Sequence, residues 1–477
     1  MTAALVWFRR DLRLADNGAL REALAQADAV VPVYIHDPEA DGDWPPGAAS
    51  RWWLHESLAQ LSGALERAGS RLVVRRGSVR SVLAGLLRET GAKQVFWNHL
   101  YEPERFAADE SLCKWLGSQH GVRATACAGA LLAEPWTLRT GQGRPYRVFT
   151  PYWRAFLRGP EPAPPRPAPD RLPGPDRWPK GCGIDELGLL DAVAWHAGLS
   201  DHWQPGEAGA ARRLARFLAG GLEHYADTRD LPALEGGVSR LSAHLHFGEI
   251  SPGQVWHAVR GRGDSTGTEA YLRELGWRDF ACHVLFHHPA TPTEPLYSKY
   301  RDFPWRPNHQ RLLDAWQRGL TGYPLVDAGM RELWTTGWMH NRVRMVAASL
   351  LVKNIRAPWQ AGARWFWDTL VDADLASNTM GWQWSAGCGA DAAPYFRVFN
   401  PVRQSERFDP AGVYIRRWVP ELSALPDRYL HAPWQAPADA LARAAVAPGR
   451  NYPLPVVDYK ASRAEALAAL KSLASPD

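Results

Sequence analysis

Between residues 3 and 130 short apolar runs alternate with amphipathic segments, and that rhythm leaves few folds open. Ala3–Phe8, Ala29–His36, Arg71–Arg76, Gln94–Asn98 and Arg123–Ala126 read as strands, with helix-period patterns filling the gaps. Strands separated by helices must run parallel, because each return needs a crossover. The region is therefore expected to be an α/β doubly wound parallel-sheet domain. No GxGxxG follows the first run, so the usual dinucleotide fingerprint is missing.

The pattern changes twice further on. A Pro-rich stretch, Arg158 to Pro179, can be neither helix interior nor inner strand and reads as an extended connector. Beyond Gly206 the chain turns to helix-period runs, among them Ala210–Leu222, Ala270–Leu285, Gln310–Leu320 and Met330–Val352, with no alternating strand. A chain of 477 residues exceeds one ordinary core, which fits a division into 1–130, a connector 131–205, and an all-α domain 206–477.

Five cysteines, Cys113, Cys127, Cys182, Cys282 and Cys388, stand far apart without a CxxC pair or zinc-like spacing, so no metal site is expected and a reduced compartment is. The first residues enter a strand directly, without a leader pattern, and no run of about 18 apolar residues occurs, so a cytoplasmic protein with no membrane association is expected. A net charge of +5 suits a polyanion partner and many ordinary enzymes alike. Twenty-four tryptophans are harder to explain by packing alone; stacking on bases or a cofactor, and electron hopping, call for them.

Three segments carry chemistry. In "VWFRRDLRLADN" Arg9, Arg10 and Arg13 cluster where the first strand ends, either to meet a ligand or to bridge to Asp11 and Asp16. After Tyr225, a Gly-rich turn with Ser239 and Ser242 leads into a helix, which suits a phosphate or a simple cap by Ser242. In the region Gly329 to Pro401, Asp372 and Asp374 can bind a polar ring system and pair with Arg344. Trp382 and Trp384, two apart, point in roughly opposite directions on a helix. Asp-x-Asp also makes solvated turns and Trp-x-Trp also packs cores, but polar and indole groups crowd here in an apolar helical region, where an unsatisfied carboxylate is costly.

Together "WFRRDLR", "SRLSAHLHFGEISP", "TGYPLVDAGMRELWTTGWMHNRVRM" and "DADLASNTMGWQWSAGCGADAAPYFRVFNP" resemble the photolyase/cryptochrome family, in the family's order and over nearly the whole chain. The resemblance implies an N-terminal antenna-binding domain, a helical domain holding FAD, and UV-damaged DNA as partner, in a monomer with no obligate protein partner. "GWMHNRVRM" is similar to the version found in enzymes for cyclobutane pyrimidine dimers, whereas (6-4) enzymes have a His-rich segment there.

Residue by residue, the resemblance assigns Tyr225, Ser239, Arg240, Leu241, Ser242, Arg278, Arg344, Asp372, Asp374 and Asn378 to FAD. Val238 stands where relatives often have Thr, which removes one hydroxyl contact. Glu274 would hydrogen-bond the damaged pyrimidines, Trp277 and Trp384 would hold them, and Asn341, Arg342 and Met345 would touch them. Arg229, Arg342 and Arg397 would meet backbone phosphates. Trp382, Trp359 and Trp305 match the electron-transfer triad. Asn378 matches the position beside flavin N5, and an amide cannot supply a proton as a carboxylic acid can, which favours repair over signalling. Glu104 in "YEPERF" matches half of a folate-binding Asn–Glu pair, with Pro103 beside it, so the second chromophore is expected to be methenyltetrahydrofolate, with 8-hydroxy-5-deazaflavin or an empty pocket as alternatives. The rival readings are a blue-light photoreceptor and a (6-4) photoproduct enzyme.

Overall fold

The computed structural model describes residues 2–40, 42–190, 195–392 and 396–473. Its sheet has five parallel strands: β1 (Ala3–Phe8), β2 (Ala29–His36), β3 (Val73–Arg76), β4 (Gln94–Asn98) and β5 (Arg123–Cys127). They lie in the order β3-β2-β1-β4-β5. β1 is central, with Ala3 opposite Ala29 on one side and Ala4 opposite Gln94 on the other. Four helices make the crossovers: α1 (Gly18–Gln26), α2 (Ala48–Arg67), α3 (Val79–Thr90) and α4 (Pro103–His120). Helices on both faces explain why β1 and β2 read as unbroken apolar runs rather than alternating ones. On one face Leu5, Trp7, Val31 and Val33 pack with Leu83, Leu86, Val95 and Trp97. Asn17 caps α1 by accepting from the Leu20 amide, and Gly91 and Gly121 close α3 and α4 in the left-handed conformation.

Several boundaries differ from the sequence pattern; β5, for one, runs on to Cys127. β3 starts at Val73, the first residue with a partner on β2, so Arg71 and Leu72 stay outside. The run Met330–Val352 is two helices, Pro324–Thr336 and Asn341–Ser349. Gly337 ends the first at φ 66°, and His340 starts the second by accepting from the Arg342 amide. That break puts Asn341 and Arg342 on a first helical turn.

The chain divides into two compact units, Met1–Glu223 with Ser239–Pro289 and Val371–Asp374, and His224–Val238 with Ala290–Leu370 and Leu375–Asp477. The first holds the sheet together with α5 (Phe149–Leu157) and the helices Pro252–Arg260 and Thr266–His287. The named elements of the second, among the described residues, are all helices. The Pro-rich stretch lies wholly in the first unit and is strapped along it. Proline lacks an amide donor but keeps its carbonyl: the Arg166 and Pro173 carbonyls accept from the Asp16 and Val30 amides at 2.9 and 2.8 Å, and the Leu172 and Cys182 amides donate to Ala68 and Val74. Among the described residues no helix is long and apolar enough to cross a membrane.

Candidate functional site

In open α/β sheets a ligand usually sits where the strand order reverses, here between β1 and β4. In this chain that place is filled by its own polar groups. Arg9 grips Asp109 through both terminal nitrogens at 2.7 and 2.8 Å and donates to the Asn98 carbonyl. The Asn98 amide donates to Asp11 and Asn17, and its side-chain oxygen accepts from the Ala19 amide. Arg13 donates to the carbonyls of Asp16, Gly129 and Gly248. Arg10 pairs with Glu102. The three arginines therefore hold the first unit together; the Arg9 and Arg13 guanidinium groups take the partners just named, while Asp11 accepts from the Arg9 backbone amide at 2.6 Å.

A cradle of hydroxyls and carboxylates forms elsewhere in the same unit. Tyr271 donates to the Ser239 hydroxyl at 2.9 Å, and the Leu241 amide donates to the same oxygen at 3.3 Å. Between them Arg240 has a φ of 53°, left-handed backbone in a bulky residue, which persists only where its surroundings hold it. Ser242 does not cap its helix; its hydroxyl donates to Asp372 at 2.6 Å. Asp374 meets the His246 ring at 3.4 Å. Burial alone would raise the Asp374 carboxyl, but the His246 contact and the nearby Arg278 and Arg10 charges outweigh it and hold the acid far below the usual carboxylate range. Arg278 is fixed by donating to the carbonyls of Ala130 and Leu245. Oriented hydroxyls, a constrained backbone turn and an acid held ionised beside two arginines are a donor set that fits a diphosphate joined to polar rings, as in FAD.

The helix Thr266–His287 presents Tyr271, Glu274 and Arg278 at spacings of three and four, one face of a helix. Trp277 is half-buried, and Phe149 of α5 stacks on it with centroids 3.8 Å apart and planes 10° from parallel. Phe149 was not singled out from the sequence; nothing in "VFTPYWRAFL" marks it among its aromatic neighbours.

In the second unit, Met345, Trp384 and Arg397 line one cavity of about 20 Å³, room for roughly one water, together with Lys353 and Phe396. Lys353 donates to the Arg397 carbonyl at 2.6 Å and sits over the Phe396 ring, and burial lowers its ammonium to about 8. Lys353 and Phe396 are further residues the sequence did not single out. Trp382 is buried and Trp384 half-buried, as their spacing requires. Trp382 meets Phe366 at 5.0 Å and Trp316 at 6.0 Å. Trp359 is buried at a helix start, and Trp305 is half-buried against Phe303. Asn378 donates its amide to the Ala363 carbonyl at 3.0 Å. Arg342 pairs with Asp230 at 2.6 Å and covers Phe408, Arg344 donates to the Met339 carbonyl, and Arg229 lies over Tyr225. Asn341 is exposed. Residues 393–395 of the quoted Leu370–Pro401 segment lie outside the described residues.

Glu104 stands exposed in the first turn of α4, with its carboxylate against Gly42, where a Cβ would lie 2.0 Å from the Glu104 Oε2.

Two family descriptions match the chain: "DNA photolyase" over residues 4–170 and "FAD binding domain of DNA photolyase" over residues 271–472. The deoxyribodipyrimidine photo-lyase of Agrobacterium fabrum is 47% identical over 98% of this chain and 97% of its own. Cryptochrome-1 of Arabidopsis thaliana is 39% identical over 98% of this chain and 70% of its own. The crystal structure of a bacterial class III photolyase from Agrobacterium tumefaciens superposes with a TM-score of 0.95 at 46% identity, covering 99% of this chain and 98% of the other. The chain belongs to the photolyase/cryptochrome family. Within that family its sequence and fold are similar to those of a class III photolyase.

Proposed function

We infer that this chain is a deoxyribodipyrimidine photo-lyase that repairs cyclobutane pyrimidine dimers in DNA with light. The observation that carries the reading is near end-to-end identity of 47% with a photo-lyase. FAD, when bound, would supply the chemistry: reduced and excited by light, it would lend the electron that opens the cyclobutane ring and would receive it back, with no net redox change.

The chain's own residues bind and orient. Tyr225, Ser239, Arg240, Leu241, Ser242, Arg278, Arg344, Asp372 and Asp374 hold FAD; the Tyr271 and Asp372 contacts to the two serines support this by fixing where the hydroxyls point. Extruding a dimer from the duplex costs a few kcal/mol, and stacking at about 1–3 kcal/mol per base offsets it. Trp277 and Trp384 supply that stacking. Phe149 keeps the Trp277 ring in plane, because one face of the indole is already covered. Glu274 hydrogen-bonds the pyrimidine edges and steadies developing charge. Asn341 and Met345 touch the dimer, and Arg229, Arg342 and Arg397 meet phosphates. Asn378, whose side-chain amide donates to the Ala363 carbonyl, would offer the flavin no acidic proton. Trp382, Trp359 and Trp305 would carry electrons one at a time from an external thiol reductant to oxidised, photoexcited FAD, each indole being re-reduced in turn. Near Glu104 we place methenyltetrahydrofolate as antenna; a deazaflavin absorbance in the denatured extract would replace it.

Illuminated with a thymine-dimer oligonucleotide, the reduced protein should restore intact thymines, and none should return in darkness. Glu274→Ala should repair at least tenfold more slowly, a loss of about 1.4 kcal/mol of transition-state stabilisation. No repair by protein carrying reduced FAD would overturn the reading and favour a photoreceptor or a (6-4) enzyme.

The triad has its own test. A Cβ at Gly362 would lie 2.1 Å from Trp382. Gly362→Ala therefore forces the indole aside, an overpacking cost of about 1–3 kcal/mol. Light-driven reduction of oxidised FAD should slow markedly, while repair by chemically reduced protein persists. Unchanged photoreduction would remove Trp382 from that path.

A further inference from the structure

A second concavity lies in the first unit, and none of its lining residues is among those assigned to FAD or the dimer. Its volume is about 550 Å³, within the range of small-ligand pockets. Trp153, Phe156 and Trp256, each less than a tenth exposed, form its aromatic wall. The Trp153 and Phe156 rings stack 5.2 Å apart, and Trp256 meets them at 63° and 80°, so the three make a corner.

The rim is acidic. Three carboxylates, Glu161, Asp264 and Glu269, line it with one guanidinium, Arg260. Arg260 is already committed: it binds Asp264 at 2.7 Å and lies 3.8 Å from Glu161. The indole N–H of Trp256 donates to Glu161 at 3.2 Å, which pushes electron density into the ring whose face a cation would meet. The positive end of the helix Thr266–His287 also reaches this wall, but Ser265 caps it through the Thr268 amide and Glu269 stands in its first turn. On a chain of net charge +5 this is a local patch of the opposite sign, unsuited to DNA phosphate.

We propose that this cavity binds a small organic cation with an apolar body, of the alkyl- or arylammonium class. The aromatic corner takes the body and the charge by cation–π attraction, and the surplus carboxylates at the rim complete the neutralisation.

The test is calorimetric titration of the flavin-loaded full chain with benzyltrimethylammonium, and with benzenesulfonate as a ring of similar size and opposite charge. The cation should bind one to one with a Kd of about 1 mM or tighter, and the anion at least tenfold more weakly. Asp264→Asn with Glu269→Gln, both at the rim, should weaken the cation about fivefold, and Trp256→Phe should also weaken it. Light-dependent repair should be unchanged in the carboxylate variant, which separates this site from the catalytic one. Absence of cation binding, equal binding of the anion, or binding indifferent to both sets of substitutions would each overturn the proposal.

Discussion

Asp374→Asn should leave the purified protein with less than about a tenth of its normal FAD, read as the ratio of flavin to protein absorbance. The substitution keeps the shape and removes the charge. In the native chain that carboxylate is held ionised despite its burial, because His246, Arg278 and Arg10 all favour the anion. An asparagine leaves the arginines without one of their counter-charges; removing one partner from a fully buried set costs about 3–5 kcal/mol, and this partly buried set, with Asp374 19% exposed, keeps a share of that. Part of that cost falls on the cradle that receives the cofactor, and 1.4 kcal/mol already means a tenfold loss of affinity. Asp374→Glu separates charge from position: it restores the anion but pushes it one methylene further, so flavin content should recover only in part. Full flavin occupancy in Asp374→Asn would show that the charge serves the fold and not FAD.

β1 and β2 were legible because strands covered on both faces are apolar nearly throughout, and four of the five strands begin where the expected runs begin. The partners of the charged residues were not. Arg9 and Asp109 are 100 residues apart, and periodicity says nothing about which carboxylate a guanidinium finds. The arginines after β1 therefore looked equally suited to a ligand or to local bridges, when Arg9 reaches across to a crossover helix. His246 against Asp374, Phe149 under Trp277, and Lys353 beneath Arg397 are likewise contacts between distant segments. The helix break at Gly337 carried a signal, a glycine inside a helical run, but apolar spacing continues on both sides and masks it. The tryptophan excess was the more informative anomaly, since the resemblance gives several of these indoles a task beyond packing.

Arg9→Met should cost the first unit about 3–5 kcal/mol of stability, seen as a lower midpoint for its unfolding in urea. Both partners are nearly buried, with side chains 7% exposed each. Among the described residues Asp109 then keeps one hydrogen-bond donor, the Trp97 indole at 3.0 Å, with the Arg105 charge nearby, and the acid loses its main counter-charge in a nearly dry site. Arg9 also covers the Trp7 ring at 4.6 Å, a packing contact that methionine retains in part. The companion change Asp109→Asn removes the stranded charge while keeping an acceptor for Trp97, so the double variant should regain a large share of the loss. That recovery is the deciding measurement, because it distinguishes an uncompensated charge from lost packing. If Arg9→Met and the double variant are equally destabilised, the penalty lies in the guanidinium's other contacts, the Asn98 carbonyl and the Trp7 face, and the ion pair itself contributes little.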